Sequence, residues 1–174
     1  YLNNVDLFLC LTEFQKKKLV EYGFNKAKCE VLPNFYNKEI KNLAYNIAER
    51  NYVAFAGRIS PEKGVPLLLE AAKKLPHIRF QLAGGIREGY LEELEIPKNV
   101  TLTGMLASNE LSNFYGSARF FVLSSICYEG FPMVFVEAMA HGLPVIAPDL
   151  GGHREIISDN EQGLLYRPGD VSSL

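Results

Sequence analysis

Short apolar runs alternate along the chain with segments whose apolar residues recur at helical spacing. The apolar runs predict strands at Val5–Leu11, Cys29–Leu32, Tyr52–Ala56, Ile78–Ala83, Val100–Thr103, Arg119–Ser124, Val145–Ala147 and Gly163–Tyr166. The helical spacing predicts helices over 12–22, 65–75, 108–115 and 132–141, with a short segment over 153–157. Strands separated by helices predict an α/β fold, a Rossmann-like parallel sheet with helices on both faces.

Capping residues define several of these helix ends. Thr12 is the predicted N-cap of the first helix, and Gln15 at the third helical position completes a capping box. Gly23 ends that helix. Ser108 is predicted to cap a later helix, and Pro132 is suited to a first helical turn.

A polar segment over 34–50 is the predicted connector between two domains. We expect residues 1–37 to be the end of one domain and residues 38–174 to be most of a second domain. Both domains are expected to be truncated, because Tyr1 begins within a predicted element and Asp170 resembles the N-cap of a helix that does not follow.

The composition narrows the class of protein. Of 174 residues, 48% are hydrophobic and 22% are charged, which is typical of a globular chain rather than a disordered one. The net charge of −2 argues against broad binding to nucleic acid. Cys10, Cys29 and Cys127 are widely spaced and form no CxxC pair, and no apolar run reaches the ~18 residues of a spanning helix. We therefore expect reduced thiols and a cytoplasmic location.

Ligands of parallel α/β sheets bind beyond the carboxyl ends of the strands, next to helix N-termini. The loop 57–64 occupies such a position and carries Arg58 and Lys63, two cations suited to two linked phosphates. The alternative is a surface loop with solvated charges, in which Lys63 pairs with Glu62.

A second loop leads into the predicted helix that begins near Pro132, and it starts with Glu129. Free amides at this helix N-terminus, those of Phe131, Met133 and Val134, would form an anion site. Glu137 is the single charge in the apolar segment 131–140, so its carboxylate needs hydrogen-bond donors, which a ribose would supply. The alternative partner is Arg119 or His141.

Two further loops are weaker candidates. Gly84 and Gly85 follow a strand, where backbone could approach a ligand closely or form an ordinary turn. Gly151-Gly152 with His153 and Arg154 could bind phosphate, or could be a turn with solvated side chains. The sequence contains no metal-ligand spacing, no Gly-x-Ser-x-Gly elbow and no P-loop, and the absence of Gly-x-Gly-x-x-Gly after a strand argues against dinucleotide oxidoreduction.

Three motifs together resemble one known family. The loop 57–64 resembles its G-R-x-x-x-x-K-G motif, and Glu129 to Glu137, followed by 138–147, resembles its E-x7-E segment and next strand. The third stretch is 151–165, with Gly-Gly, Glu-Ile-Ile and Gly-Leu-Leu. These stretches resemble the C-terminal nucleotide-sugar-binding domain of the retaining family 4 glycosyltransferases, which have the GT-B fold.

The resemblance implies transfer of a sugar from a nucleoside diphosphate to an acceptor hydroxyl with retention of configuration. It implies catalytic roles for Arg58, Lys63 and Glu129: the two cations bind the diphosphate leaving group, and Glu129 binds the sugar hydroxyls. Glu137 would hold the ribose. The implied substrate-binding residues are Gly57, Gly84, Thr103, Phe131, Pro132, Met133, Val134 and Glu137.

The resemblance further implies no cofactor and no metal ion. The expected donor is a UDP or GDP sugar, with mannose or glucose as the sugar, for synthesis of polysaccharide or glycolipid. A glycan or lipid acceptor would bind the rest of a longer protein, which could associate peripherally with the inner membrane face, and the fragment alone would be inactive. Residues 34–37 depart from the family's usual Asn-Gly hinge sequence.

Three alternatives to this hypothesis remain at the level of sequence. The first is another GT-B enzyme, such as a sugar-nucleotide epimerase or a glycogen or starch synthase. The second is a non-catalytic nucleotide-sugar-binding module. The third is a Rossmann dehydrogenase, which binding of NAD would reveal.

Overall fold

The computed structural model describes residues 4–36, 47–158 and 160–174, so the predicted domain boundary between 37 and 38 lies outside the described residues. The strands are β1 (Phe8–Cys10), β2 (Cys29–Val31), β3 (Tyr52–Ala56), β4 (Arg79–Ala83), β5 (Val100–Gly104), β6 (Ala118–Val122), β7 (Val145–Pro148) and β8 (Gly163–Tyr166). The α-helices are α1 (Glu13–Glu21), α2 (Val65–Lys74), α3 (Ser108–Ser117), α4 (Met133–Ala140) and α5 (His153–Ile156). Within the described residues, no helix has the length and apolar character needed to cross a membrane.

The strands form two parallel sheets. β1 pairs with β2, and the other six strands have the order β5-β4-β3-β6-β7-β8 with every pairing parallel. From the central strand β3 the chain proceeds outward to β4 and β5, and then crosses back to β6 on the other side of β3. The strand order therefore reverses between β3 and β6, which is where open parallel sheets bind ligands.

Strand β3 is the centre of the core, and all five of its residues are buried. Its alternate side chains point to opposite faces. On one face Tyr52 packs with Tyr115 of α3 and Phe135 of α4, and on the other Phe55 packs with Leu68 of α2. The predicted α/β sheet with helices on both faces is confirmed.

The helix ends match the capping predictions in part. Thr12 is the N-cap of α1, and its hydroxyl accepts a hydrogen bond from the Gln15 amide at 3.1 Å. The predicted cap at Ser108 is wrong, because α3 begins at Ser108 and Ala107 is its N-cap residue. The Glu110 carboxylate accepts a hydrogen bond from the Ala107 amide at 2.7 Å, so a carboxylate rather than a serine hydroxyl closes this end.

Candidate functional site

The loops that follow β3 and β6 meet at the point where the strand order reverses. The loop after β3 ends in a 3-10 turn, Pro61–Lys63, and then in Gly64, whose φ of +66° favours glycine. A Cβ on Gly64 would overlap the carbonyl oxygen of Ser124, which follows β6. The Ser124 hydroxyl donates to the carbonyl of Lys63 at 2.8 Å. Glycine at position 64 thus lets the two loops touch.

This contact brings Lys63 and Glu129 together. The Lys63 Nζ lies 2.5 Å from Glu129 Oε1, and the buried Ser125 hydroxyl donates to the same oxygen at 2.5 Å. Both charged side chains are largely shielded, at 24% and 15% exposed. The alternative pairing of Lys63 with Glu62 is wrong. The site instead has a lysine held by a carboxylate from the neighbouring strand's loop.

Arg58 is the second predicted cation, and it lies on the same loop as Lys63. Its side chain is 66% exposed, and Nη1 lies 3.4 Å from Glu62 Oε1. An exposed ion pair of this kind contributes about 0–1 kcal/mol. Arg58 can therefore exchange Glu62 for an anionic ligand at little cost.

A cleft of about 220 Å³ lies at the carboxyl ends of β3 and β4. It is lined by Ala56, Gly57, Ala83, Gly84, Gly85, Met105, Leu106, Leu111, Tyr115, Val134 and Glu137. Gly84 has a φ of +146°, and a Cβ there would overlap the carbonyl oxygen of Gly57. Glycine at position 84 thus allows the loops after β3 and β4 to pass in contact. The predicted residues Gly57, Gly84, Val134 and Glu137 all line the cleft.

Glu137 lies on α4 and reaches this cleft, where its partner is Tyr115 of α3. The buried Tyr115 hydroxyl donates to Glu137 Oε2 at 3.0 Å. Burial and the charge of Glu137 raise the pKa of Tyr115, so the hydroxyl stays protonated as a donor. The His141 ring nitrogen Nδ1 lies 2.7 Å from the main-chain oxygen of Glu137, and Arg119 lies near the opposite end of β6. The carboxylate of Glu137 thus has a tyrosine hydroxyl as its partner, rather than the alternative partners Arg119 or His141.

The N-terminus of α4 adjoins both glutamates. Pro132 is the N-cap residue and α4 begins at Met133, one residue later than predicted. The Phe135 amide donates to the Pro132 carbonyl at 3.0 Å. The amides of Met133 and Val134 belong to the first turn, which has no intrahelical acceptor and carries a partial positive charge. This end of α4 is suited to an anion or to hydroxyl oxygens.

Thr103 uses its hydroxyl within the protein, and its expected role in substrate binding stays a prediction. Its hydroxyl lies 3.3 Å from the carbonyl oxygen of Leu82 and 3.2 Å from that of Gly104, so it is occupied by the backbone. The side chains that line the cleft after β5 are Met105 and Leu106. These two residues carry no sequence signal beyond their position after a strand.

The Gly151-Gly152 loop buries one of its two basic side chains and exposes the other. His153 is buried, at 1% exposed, and its Nδ1 lies 2.8 Å from the Pro148 carbonyl oxygen. Burial lowers the pKa of His153, which favours a neutral ring. Arg154 pairs with Asp149. The buried His153 departs from the fully solvated turn, whereas phosphate binding by this loop stays a prediction.

Comparison with known proteins identifies the family of this chain. Residues 37–174 match the model of the family described as Glycosyl transferases group 1. The chain belongs to this family. An uncharacterized glycosyltransferase of Methanocaldococcus jannaschii is 35% identical over 98% of this chain, which spans 48% of that relative. The group 1 glycosyltransferase chain thus spans about half the length of this curated relative.

Two solved structures share the fold of this group 1 glycosyltransferase chain. Sucrose-phosphate synthase from Thermosynechococcus elongatus has a TM-score of 0.83 and 27% identity, over 99% of this chain and 48% of that one. HepE of Anabaena, in complex with UDP and glucose, has a TM-score of 0.83 and 23% identity, over 97% of this chain and 51% of that one. The predicted GT-B type of Rossmann-like fold is confirmed.

Proposed function

We propose that this chain is the donor-binding part of a retaining family 4 glycosyltransferase that moves a sugar from a nucleoside diphosphate to an acceptor hydroxyl. The observation that carries the proposal is the Lys63–Glu129 pair at the point where the strand order reverses. The pair joins a shielded cation on the loop after β3 to the loop that precedes α4, and the exposed Arg58 lies on the first of these loops. Membership of the group 1 family supports the same reaction class.

Each polar group has a defined task in the proposed reaction. Arg58 and Lys63 stabilise the charge that develops on the departing diphosphate, together with the amides of α4, because preorganised donors at a developing charge lower the barrier. Glu129 binds the hydroxyls of the donor sugar. Glu137, held by Tyr115, accepts hydrogen bonds from the ribose. In this proposal the cations and amides do the work that a metal ion does in other transferases.

UDP is the nucleotide to test first, because the fold neighbour HepE is in complex with UDP and glucose. Glucose is the corresponding first sugar, with GDP and mannose as the second pair. We propose that a glycan or lipid acceptor is held by the rest of a longer protein that acts at the cytoplasmic face of a membrane.

Calorimetric titration with UDP, GDP, ADP and NAD tests the proposal. We expect one nucleoside diphosphate to bind with one-to-one stoichiometry, and Lys63→Ala and Glu137→Ala each to weaken binding about tenfold, as charge-assisted hydrogen bonds are lost. Lys74→Ala is the matched control, because this exposed lysine pairs with Glu70 on α2. Binding of NAD alone, or equal affinity in all variants, would contradict the proposed site.

A further inference from the structure

Glu155 of α5 makes a contact that the proposed reaction does not use. Its Oε2 accepts a hydrogen bond from the Glu13 amide at 2.6 Å, and its Oε1 accepts one from the Phe14 amide at 2.7 Å. These are the first two amides of α1, whereas the cap residue Thr12 binds the Gln15 amide. Glu155 therefore completes the capping of a helix about 140 positions away, at the positive end of the helix dipole.

Packing around this hydrogen-bond pair joins the same two parts of the chain. A Cβ on Gly152 would lie 2.7–2.9 Å from the side-chain atoms of Thr12, so the two residues are in close contact. The Phe14 ring packs against Tyr128 with centroids 4.9 Å apart. Tyr128 directly precedes Glu129. The start of α1 is thus held against the loop that carries the proposed sugar-binding carboxylate.

We propose that Glu155 is a positioning residue that fixes the β1-α1-β2 unit, residues 4–36, relative to the donor site. Two charge-assisted hydrogen bonds to backbone amides define both the distance and the orientation of α1. A displacement of about 1 Å between reacting groups can cost about 100-fold in rate, so the position of this unit matters for transfer. The inference rests on the proposed function, because the position of residues 4–36 is defined relative to the proposed donor site.

The variants are Glu155→Ala, which removes both acceptors, and Glu155→Gln, which keeps one acceptor oxygen and loses the charge. Gly152→Ala disturbs the same contact from the other side without changing the carboxylate. Its φ of −87° suits alanine, so only the contact with Thr12 opposes the new methyl group. Glu70→Ala on α2 is the control, because that carboxylate is in an exposed ion pair.

The first measurement is the distance distribution between nitroxide labels on cysteines introduced at the exposed positions Lys17 and Lys98 of the full-length protein, with the exposed Cys127 replaced by serine. UDP affinity is measured on the same samples. We expect Glu155→Ala and Gly152→Ala to broaden the distribution, Glu155→Gln to broaden it less, and UDP affinity to change less than about threefold. An unbroadened distribution in Glu155→Ala overturns the inference. A loss of UDP affinity in step with the broadening also overturns it, because Glu155 would then be part of the donor site's own structure.

Turnover of UDP-glucose, followed as UDP release with n-octyl glucoside as acceptor, supplies the kinetic test. We expect kcat to fall about tenfold in Glu155→Ala, which corresponds to ~1.4 kcal/mol, with KM for UDP-glucose unchanged. If the wild type is active and Glu155→Ala has the same kcat, the inference is overturned. If the wild type neither binds UDP nor turns over, the proposed UDP-sugar donor fails instead, and the distance distribution alone decides the role of Glu155.

Discussion

Tyr115 orients the carboxylate of Glu137 through a hydroxyl that is itself buried, at 3.0 Å. Hydrogen bonds to charged groups contribute about 1.5–3 kcal/mol. We predict that Tyr115→Phe weakens binding of the donor nucleotide about tenfold, because Glu137 loses the hydrogen bond that orients its carboxylate toward the ribose in the proposed function. Calorimetric titration measures the change.

The control for Tyr115 is Tyr52→Phe, a matched deletion of a buried hydroxyl. The Tyr52 hydroxyl donates to the Phe114 carbonyl at 2.5 Å, and burial raises the pKa of Tyr52 to about 12. Tyr52 begins β3, so it lies at the opposite edge of the sheet from the cleft. This variant should lower the free energy of unfolding and leave nucleotide affinity unchanged. Equal losses of affinity in the two variants would mean that a loss of stability, and not the orientation of the Glu137 carboxylate, explains the effect.

His153 makes stability depend on pH. Burial lowers its pKa in the folded chain, whereas an unfolded histidine titrates near ~6.5. Below that pH the unfolded state binds a proton that the folded state resists, so the free energy of unfolding falls as the pH falls from ~6.5 through the lowered pKa. We predict that His153→Gln flattens the pH dependence between about pH 7 and 5 in urea denaturation.

The exposed His77 provides the matched substitution. His77→Gln makes the same substitution at the surface, and the slope of its unfolding free energy against pH is measured for comparison. If both histidine variants keep the wild-type slope, the titration of His153 does not contribute to acid stability.

At the scale of elements, Gly64 couples the turn after β3 to the end of β6. We predict that Gly64→Ala lowers the free energy of unfolding by more than ~3 kcal/mol, because left-handed strain of about 1–2 kcal/mol adds to the displacement of the Ser124 backbone. Gly169→Ala separates the two causes, since its φ is +75° and nothing lies within 4 Å of an added Cβ. Gly169→Ala should lower the free energy of unfolding by the strain alone, about 1–2 kcal/mol, in urea titrations of both variants. Equal losses of unfolding free energy in the two variants would contradict the close contact between the two loops.

Secondary structure followed from local patterns because each element carries its own periodicity. The buried strand β3 was predicted with both ends correct, Tyr52–Ala56. The cap of α3 was wrong because a carboxylate three residues inside the helix can bind the N-cap amide, which leaves no need for a polar side chain at Ala107. Helix starts are therefore less determined by a single residue type than strands are by apolar runs.

The partners of the site residues could not be predicted in the same way. The sequence suggested Glu62, the neighbour of Lys63, as an alternative ion-pair partner, but the partner in the structure is Glu129, 66 positions away. Glu155 and the amides of α1 are separated by more than 140 positions. Such pairs depend on which strands are adjacent in the sheet, and local sequence patterns carry no information about strand order. The motifs located the loops correctly, and the sheet topology decided which side chains meet.

At the scale of the whole molecule, the six-stranded sheet places both proposed phosphate-binding cations and both glutamates at one edge. Every residue to which we assign donor binding lies in this chain, whereas the chain spans about half the length of its relative from Methanocaldococcus jannaschii. Binding of the donor and transfer of its sugar should therefore be separable.

We predict that the 174-residue chain binds UDP within about threefold of the full-length protein's affinity but transfers sugar at least about 100-fold more slowly. Binding needs only the cleft, but transfer needs an acceptor hydroxyl oriented on the donor and water excluded from it. Calorimetric titration and UDP release from UDP-glucose, measured in parallel on both proteins, separate the two properties. Transfer by the chain alone at the full-length rate would show that the acceptor site lies within these residues, because no other surface would then be needed to orient the attacking hydroxyl.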